Sequence, residues 1–243
     1  MQTTIKLQSF LAHSGVSSRR GAEKLIEEAL VTVNDQPAHI GQRISVQKDK
    51  IRYRGKLISV SSVLSYYIIH KPVGFVSTTS DELERKTVLE LLPEELRTGL
   101  YPVGRLDQDS EGLLLLTNDG DLTYILTHPK FEIEKTYQVL LQGIPSTRAL
   151  DHLKRGVKLK DEYVKPVKIT IMKHENKNTW LEIVISEGKK HQVKRMVNRI
   201  GYEVLRLIRV KMGPLELGEL KKGEFRVLTD EELEKLLLLK KKS

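Results

Sequence analysis

Four consecutive leucines, Leu113 to Leu116, follow directly on a loop crowded with charge, Arg105-Leu106-Asp107-Gln108-Asp109-Ser110-Glu111, with glycines at Gly104 and Gly120 on either side. An unbroken apolar run of this kind reads as a buried strand. A strand that begins where the acidic loop ends holds that loop rigidly against a sheet. Fixed geometry is what a reacting carboxylate requires. The stretch therefore constrains the fold, which must contain this buried strand, and directs attention to Asp107 as the candidate reacting group.

The 243-residue chain has room for one large domain or two of moderate size. Hydrophobic residues at 39% against 30% charged allow a packed core and argue against global disorder. Lys plus Arg number 41 against 32 Asp plus Glu, a net charge of +9 that favours an anionic partner, most often nucleic acid. The excess is uneven, because residues 1–60 carry ten basic and five acidic side chains. The absence of cysteine removes disulfides, zinc–cysteine sites and thiol catalysis. Met1 to Phe10 lacks a secretory apolar core, and no apolar run approaches the ~20 residues of a membrane span. A cytoplasmic protein without membrane contact is the expectation.

Local patterning predicts a compact basic module in front. Leu7, Phe10 and Leu11 share a helical face that Gly15 can end. Ser17 or Ser18 can cap a second helix, whose Ala22, Leu25, Ile26 and Ala29 fall at i, i+3, i+4 and i+7. Val31 and Val33 alternate as a strand before an Asn34-Asp35 turn. Arg19 and Arg20 would lie at the positive end of the second helix, where phosphate binds well. Serines between Lys56 and Ser65 mark a linker. Beyond it, Tyr66–Ile69 reads as a strand ended by Lys71-Pro72-Val73-Gly74, a turn whose backbone could approach a ligand.

Three further segments carry candidate chemistry. Lys135-Thr136-Tyr137-Gln138-Val139-Leu140 reads as a strand with Tyr137 and Val139 on one face. Leu181, Ile183 and Ile185 form another strand, feeding a basic helix. In that helix Val193, Met196, Val197 and Ile200 make an apolar stripe, with His191, Lys194, Arg195 and Asn198 roughly opposite. Leu205 and Leu207 suggest a strand after Gly201, and Thr229 with Glu232 makes a capping box for a last helix through Leu239. Asp107, Asp109, Glu111 and Gly112 imitate the start of a calcium loop. An EF-hand glutamate would have to stand where the chain has Asn118, and leucines occupy intervening ligand positions. From the residues alone, a structural turn and a catalytic aspartate serve Asp107 equally well.

The Gly104–Gly120 stretch resembles the active-site motif of the pseudouridine synthases, in the branch that modifies ribosomal RNA. Lys71–Thr78 is similar to the first motif of those enzymes, Gln192-Val193-Lys194 to the third, and Met212–Leu215 with Gly223–Thr229 to the C-terminal signature. The front portion resembles the alpha-L RNA-binding module of a small-subunit ribosomal protein, through Leu11-Ala12, Gly15, Ser18-Arg19-Arg20, Ala22-Glu23, Leu25-Ile26 and Val31-Thr32-Val33-Asn34. Ala29 and Asp35 stand where that module commonly has glycine, which puts the local turn geometry in question.

The resemblance implies an α+β fold, with an RNA-binding module over residues 1–60 and a catalytic domain over 61–243 built on a mixed, mainly antiparallel sheet with a central cleft. It implies isomerisation of a flipped-out uridine without ATP, redox cofactor or metal, and neither a dinucleotide fingerprint nor a P-loop opposes this. Asp107 would be the nucleophile or base, Tyr137 the ring stacked on uracil, and Lys194 the ionic partner of Asp107 with Arg195 second. Arg105 would hold the extruded nucleotide, and Arg19, Arg20, Lys71, Lys189, His191 and Arg195 would contact RNA. The partner expected is ribosomal RNA or an assembly intermediate, bound by a monomer. Lys190–Met196 looks more like the small-subunit (16S) enzyme, with the large-subunit (23S) enzyme as the alternative. A non-enzymatic RNA-binding assembly factor would have no need of the Asp107, Tyr137 and basic-helix set. A glycoside hydrolase using Asp107 and Asp109 is poor, because two carboxylates in one short loop are ill placed to flank a sugar.

Overall fold

The computed structural model describes residues 4–17, 19–58, 64–160 and 162–241. The chain forms two compact units, Met1–Ser65 with Pro93–Tyr101, and Tyr66–Leu92 with Pro102–Ser243. The division expected from the sequence was contiguous, at 60/61, and did not anticipate that Pro93–Tyr101 groups with the first unit. Two glycines permit it. A Cβ on Gly99 would lie 2.9 Å from the His13 carbonyl oxygen, and one on Gly15 would lie 2.9 Å from the Thr98 methyl.

In the first unit, α1 (Leu7–His13) and α2 (Arg19–Glu27) bury Leu7, Phe10, Leu11, Ala22 and Ile26 in one core. The α1 helix ends on Gly15 at φ 72°, where Val16 N–H donates to Leu11 C=O and Gly15 N–H to Ala12 C=O. This pair of bonds is the left-handed cap that glycine favours. The α2 helix ends in the same way on Ala29 at φ 54°, and Asp35 turns at φ 64°. Both positions thus take the left-handed conformation that favours glycine. A small sheet follows in the order β2 (Gln36–Pro37), β1 (Val31–Val33), β3 (Ile51–Tyr53), β4 (Lys56–Ile58). Lys56–Ile58, expected as the start of a linker, is therefore a strand. Residues 59–63 and the candidate cap Ser18 lie outside the described residues.

The second unit is built on a sheet whose main path is β8 (Lys168–Glu175), β9 (Asn178–Ile185), β7 (Lys135–Leu141), β10 (Val204–Met212), β6 (Glu111–Thr117), β5 (Tyr66–Lys71), β11 (Phe225–Val227). Every neighbouring pair is antiparallel except β10 with β6, so the sheet is mixed and mainly antiparallel. All seven residues of β6 are buried. Leu113 and Leu115 pack with Leu122 and Leu126 of α3 (Gly120–Thr127) and Leu236 of α6 (Asp230–Lys241), while alternation sends Leu114 and Leu116 to the other face. The α4 helix (Thr147–Arg155) is capped by Ser146, and α5 spans Gln192–Arg199. The capping box before α6 forms, with Thr229 N–H donating to Glu232 and Glu232 N–H to the Thr229 hydroxyl. Asp119 caps α3 and ties its layer to two other elements, accepting from Leu122 N–H, the Tyr66 hydroxyl and Lys240. The fold is α+β.

Candidate active site

The loop carrying Asp107 is clamped from beneath by the end of β5 and the segment that follows it. Lys71 is fully buried, and its ammonium donates to the carbonyls of Pro72 (3.0 Å), Asp107 (3.0 Å) and Ser110 (2.7 Å). Burial pushes this ammonium down to about 8, against the pull of Asp109, Asp107 and Glu111. Lys71 therefore faces the inside of the loop and not RNA, correcting its expected role. Its carbonyl partners are wholly or partly withdrawn from water and need a donor, and lysine supplies three. Ser77, also buried, donates its hydroxyl to Leu106 C=O and accepts from Leu106 N–H. Gly74 N–H donates to Gln108 C=O at 2.8 Å, so the Pro72–Gly74 turn packs against the loop that carries Asp107.

The clamped loop forms one wall of a cavity of about 230 Å³. Arg105 and Asp107 stand on that wall, and Lys189, Lys190 and His191 on the approach to α5 face them. The floor is the sheet. Tyr137 on β7 lies opposite Arg209 on β10, and Lys135 opposite Ile185 on β9, all four lining the cavity. Parallel pairing brings β10 against β6 at Gly112, where an added Cβ would fall 2.3 Å from the Arg209 carbonyl oxygen. Only a glycine allows that approach.

The ionic partner of Asp107 differs from expectation. Lys194 pairs with Asp109, while Asp107 faces His191 at 3.5 Å between Oδ2 and Nδ1. The reason is the loop's turn. Ser110 N–H donates to Asp107 C=O, and Asp109 is the carboxylate turned toward the α5 face that carries Lys194. Burial works to raise the Asp109 carboxyl, but the Lys194 ammonium outweighs it and holds the group below the usual range. His191 does not belong to the helix. It precedes α5 in a left-handed conformation at φ 52°, which turns its ring toward the cavity side of the loop. Lys189 pairs with Glu187 (2.9 Å) and Glu162 (3.0 Å), and Arg195 lies 3.9 Å from Glu162. These two cations therefore already have carboxylate neighbours.

Arg105, Lys190 and His191 are exposed at the cavity rim, whereas Tyr137 is buried in its floor. Arg19 and Arg20 are exposed in the first turn of α2, in the other unit. Glu111, third carboxylate of the imagined calcium loop, is turned away, buried and paired with Arg206 and Lys222. Among the described residues, no cluster of three or more His, Cys, Asp or Glu could hold a metal ion. Nor is any helix long and apolar enough to cross a membrane.

Two floor residues escaped the sequence reading. Lys135 is 9% exposed, and burial, reinforced by Arg209, pushes its ammonium down to about 8. Arg209 is 3% exposed, donates its Nε to Leu113 C=O and keeps Nη2 buried without a partner. The signal was present as strand alternation, which puts Lys135 in phase with Tyr137, and Arg209 with Leu207.

Comparison with known proteins agrees with this architecture. Residues 65–199 match the RNA pseudouridylate synthase family, and residues 5–49 match the S4 domain. The chain is 37% identical over 233 residues to an uncharacterised RNA pseudouridine synthase of Aquifex aeolicus (strain VF5), covering 96% of this chain and 93% of that one. It is 38% identical over 237 residues to the ribosomal large subunit pseudouridine synthase B of Bacillus subtilis (strain 168), covering 96% of each. A solved crystal structure of a pseudouridylate synthase superposes with a TM-score of 0.69 at 35% identity, over 96% of this chain and 99% of that one. The chain belongs to the RNA pseudouridylate synthase family and is a pseudouridine synthase with an S4 domain.

Proposed function

We propose that this enzyme converts a uridine of ribosomal RNA to pseudouridine, with Asp107 as the reacting carboxylate. The observation that carries this reading is the rigidly clamped Asp107 loop walling a cavity floored by a buried tyrosine. The uridine flips out of its stack, and its base lies against Tyr137. Arg105 holds the extruded nucleotide from the rim. Asp107 acts on the sugar as nucleophile or base while the bond from C1′ to N1 breaks, and the rotated base rejoins through C5. His191 lies 3.5 Å from the Asp107 carboxylate, and Lys194 acts through Asp109 to hold the loop. No cofactor enters this scheme.

Residues 1–60 serve as the RNA-binding module and 61–243 as the catalytic domain, with Arg19 and Arg20 contacting phosphates. The chain acts as a monomer on ribosomal RNA or an assembly intermediate. For the subunit, similarity along 96% of the chain to a large-subunit enzyme outweighs the seven-residue Lys190–Met196 pattern that favoured the small subunit. A second relative of that name, from Buchnera aphidicola subsp. Baizongia pistaciae (strain Bp), is 38% identical over 218 residues. We therefore take large-subunit RNA as the better reading.

Purified protein incubated with unmodified ribosomal RNA of each subunit tests both levels. Pseudouridine should form in the large-subunit RNA and be lost with Asp107→Ala. Formation only in the small-subunit RNA would reverse the subunit assignment, and an active Asp107→Ala variant would end the mechanistic one.

A further inference from the structure

We propose that Lys135 and Arg209 form a cationic floor that takes up the negative charge developing on the uracil ring when it separates from its sugar. The inference rests on the reading that this cavity receives a flipped uridine, and adds two catalytic residues to it. Both side chains line the cavity beside Tyr137, with Arg209 directly across the strand pair from it. Both are more than nine-tenths buried. Among the described residues, neither has a carboxylate within 4.0 Å, and Arg209 Nη2 has no hydrogen-bond partner.

A buried cation without a counter-ion is strongly unfavourable. Elsewhere the molecule avoids this. Glu111 is matched by Arg206 and Lys222, Asp119 by Lys240, and Lys71 by three carbonyl oxygens. Two unmatched charges side by side in a reaction cavity point to a field that the reaction uses. Depth selects the anion. Phosphates of the RNA backbone meet the exposed rim, where Arg105 and Lys190 stand, whereas a base inserted into the cavity meets the floor.

The chemistry requires such a field. The electron pair of the C1′–N1 bond leaves with the base and spreads over N1, O2 and O4. The sugar's deficit is met at Asp107, by bonding to C1′ or by loss of the C2′ proton to the carboxylate. Rejoining uses an electron pair at C5 to make the new bond, releases Asp107, and ends with loss of the C5 proton and gain of one at N1. Nothing is oxidised or reduced.

The test uses Lys135→Met and Lys135→Arg in the full chain. Single-turnover pseudouridine formation should fall about 10²–10³-fold in Lys135→Met, the scale of losing one preorganised donor to a developing anion. RNA affinity should stay within threefold, and Lys135→Arg should retain at least a tenth of the rate. Because methionine removes an unmatched buried charge, its thermal midpoint should be equal or higher, whereas a structural lysine would lower it. A second readout is independent of the RNA target. Wild-type protein should bind barbiturate, a planar pyrimidine that is anionic at neutral pH, at least tenfold better than neutral uracil, and Lys135→Met should abolish the preference. A preference absent from the wild type, or retained by Lys135→Met, overturns the proposal even if pseudouridine is made. Failure of the wild type on ribosomal RNA would sink the functional reading while leaving the barbiturate result to decide this one.

Discussion

Two lysines in the catalytic unit share a depressed ammonium and differ in what surrounds it. Lys71 donates to three carbonyl oxygens wholly or partly withdrawn from water, so Lys71→Met leaves acceptors bare at up to about 1–3 kcal/mol each. We expect that variant to unfold at markedly lower denaturant and to lose activity through a slackened Asp107 loop, as urea melts and rate measurements would register. Lys135 has no such partners, and its replacement should cost rate and not stability. Both groups titrate at about 8 in the folded protein against 10.5 unfolded. Between those values the unfolded chain holds more protons, so stability rises with pH across that window. Activity should run the opposite way, falling as pH passes about 8 and the ammonium groups neutralise. Asp107, Arg105, Lys189, Lys190, His191 and Arg209 line the cavity with Lys135 and Asp109 and Glu111 act on Lys71, so these charges set the curve. A rate that stays flat to pH 10 in a stopped assay would show that neither lysine need be charged.

Elements here are ended and joined by backbone conformations that the sequence only partly advertises. Gly15 at the end of α1 is legible, because glycine is the residue of a left-handed cap. Ala29 takes the same cap without the residue suited to it, since the two terminal hydrogen bonds and the packed face of α2 impose it. Ala29→Gly should therefore stabilise the first unit by about 1 kcal/mol, visible as a raised melting midpoint. Gly112 works in the opposite sense, because only glycine admits the close parallel crossing of β10 over β6. Gly112→Ala should cost on the order of 3 kcal/mol and shift Arg209, with activity lost in proportion. Strand phase was legible over Lys135–Leu140 of β7 and at Leu205 and Leu207 of β10, whose pairing with β7 is interrupted by register shifts. What alternation could not announce was that a lysine and an arginine in that phase would be enclosed without counter-ions.

For the whole molecule, the net charge of +9 predicts RNA binding that weakens with salt. Arg19→Gln with Arg20→Gln should lower RNA affinity and make the salt dependence shallower by about 0.7–0.9 per phosphate contact removed. Turnover at saturating RNA should be unchanged, since both arginines lie in the unit that lacks the Asp107 cavity. An unaltered salt slope would remove those two residues from the RNA surface. Division of the chain was less legible than its charge. The segment Pro93–Tyr101 is drawn into the first unit by contacts at Gly15 and Gly99, and close approaches of two backbones leave no composition signature.

Periodicity and residue type by themselves determined the leucine strand, the two short helices in front, the basic helix and its apolar stripe, and the candidacy of Asp107, whereas that of Tyr137 came from the family resemblance. These are local properties, encoded by spacing along one element. Which carboxylate meets Lys194, where Lys71 points, and which cations lie under Tyr137 were decided only in three dimensions. Those outcomes depend on a loop's turn, a cross-strand register and the exclusion of water, and each is set by chain segments distant in sequence.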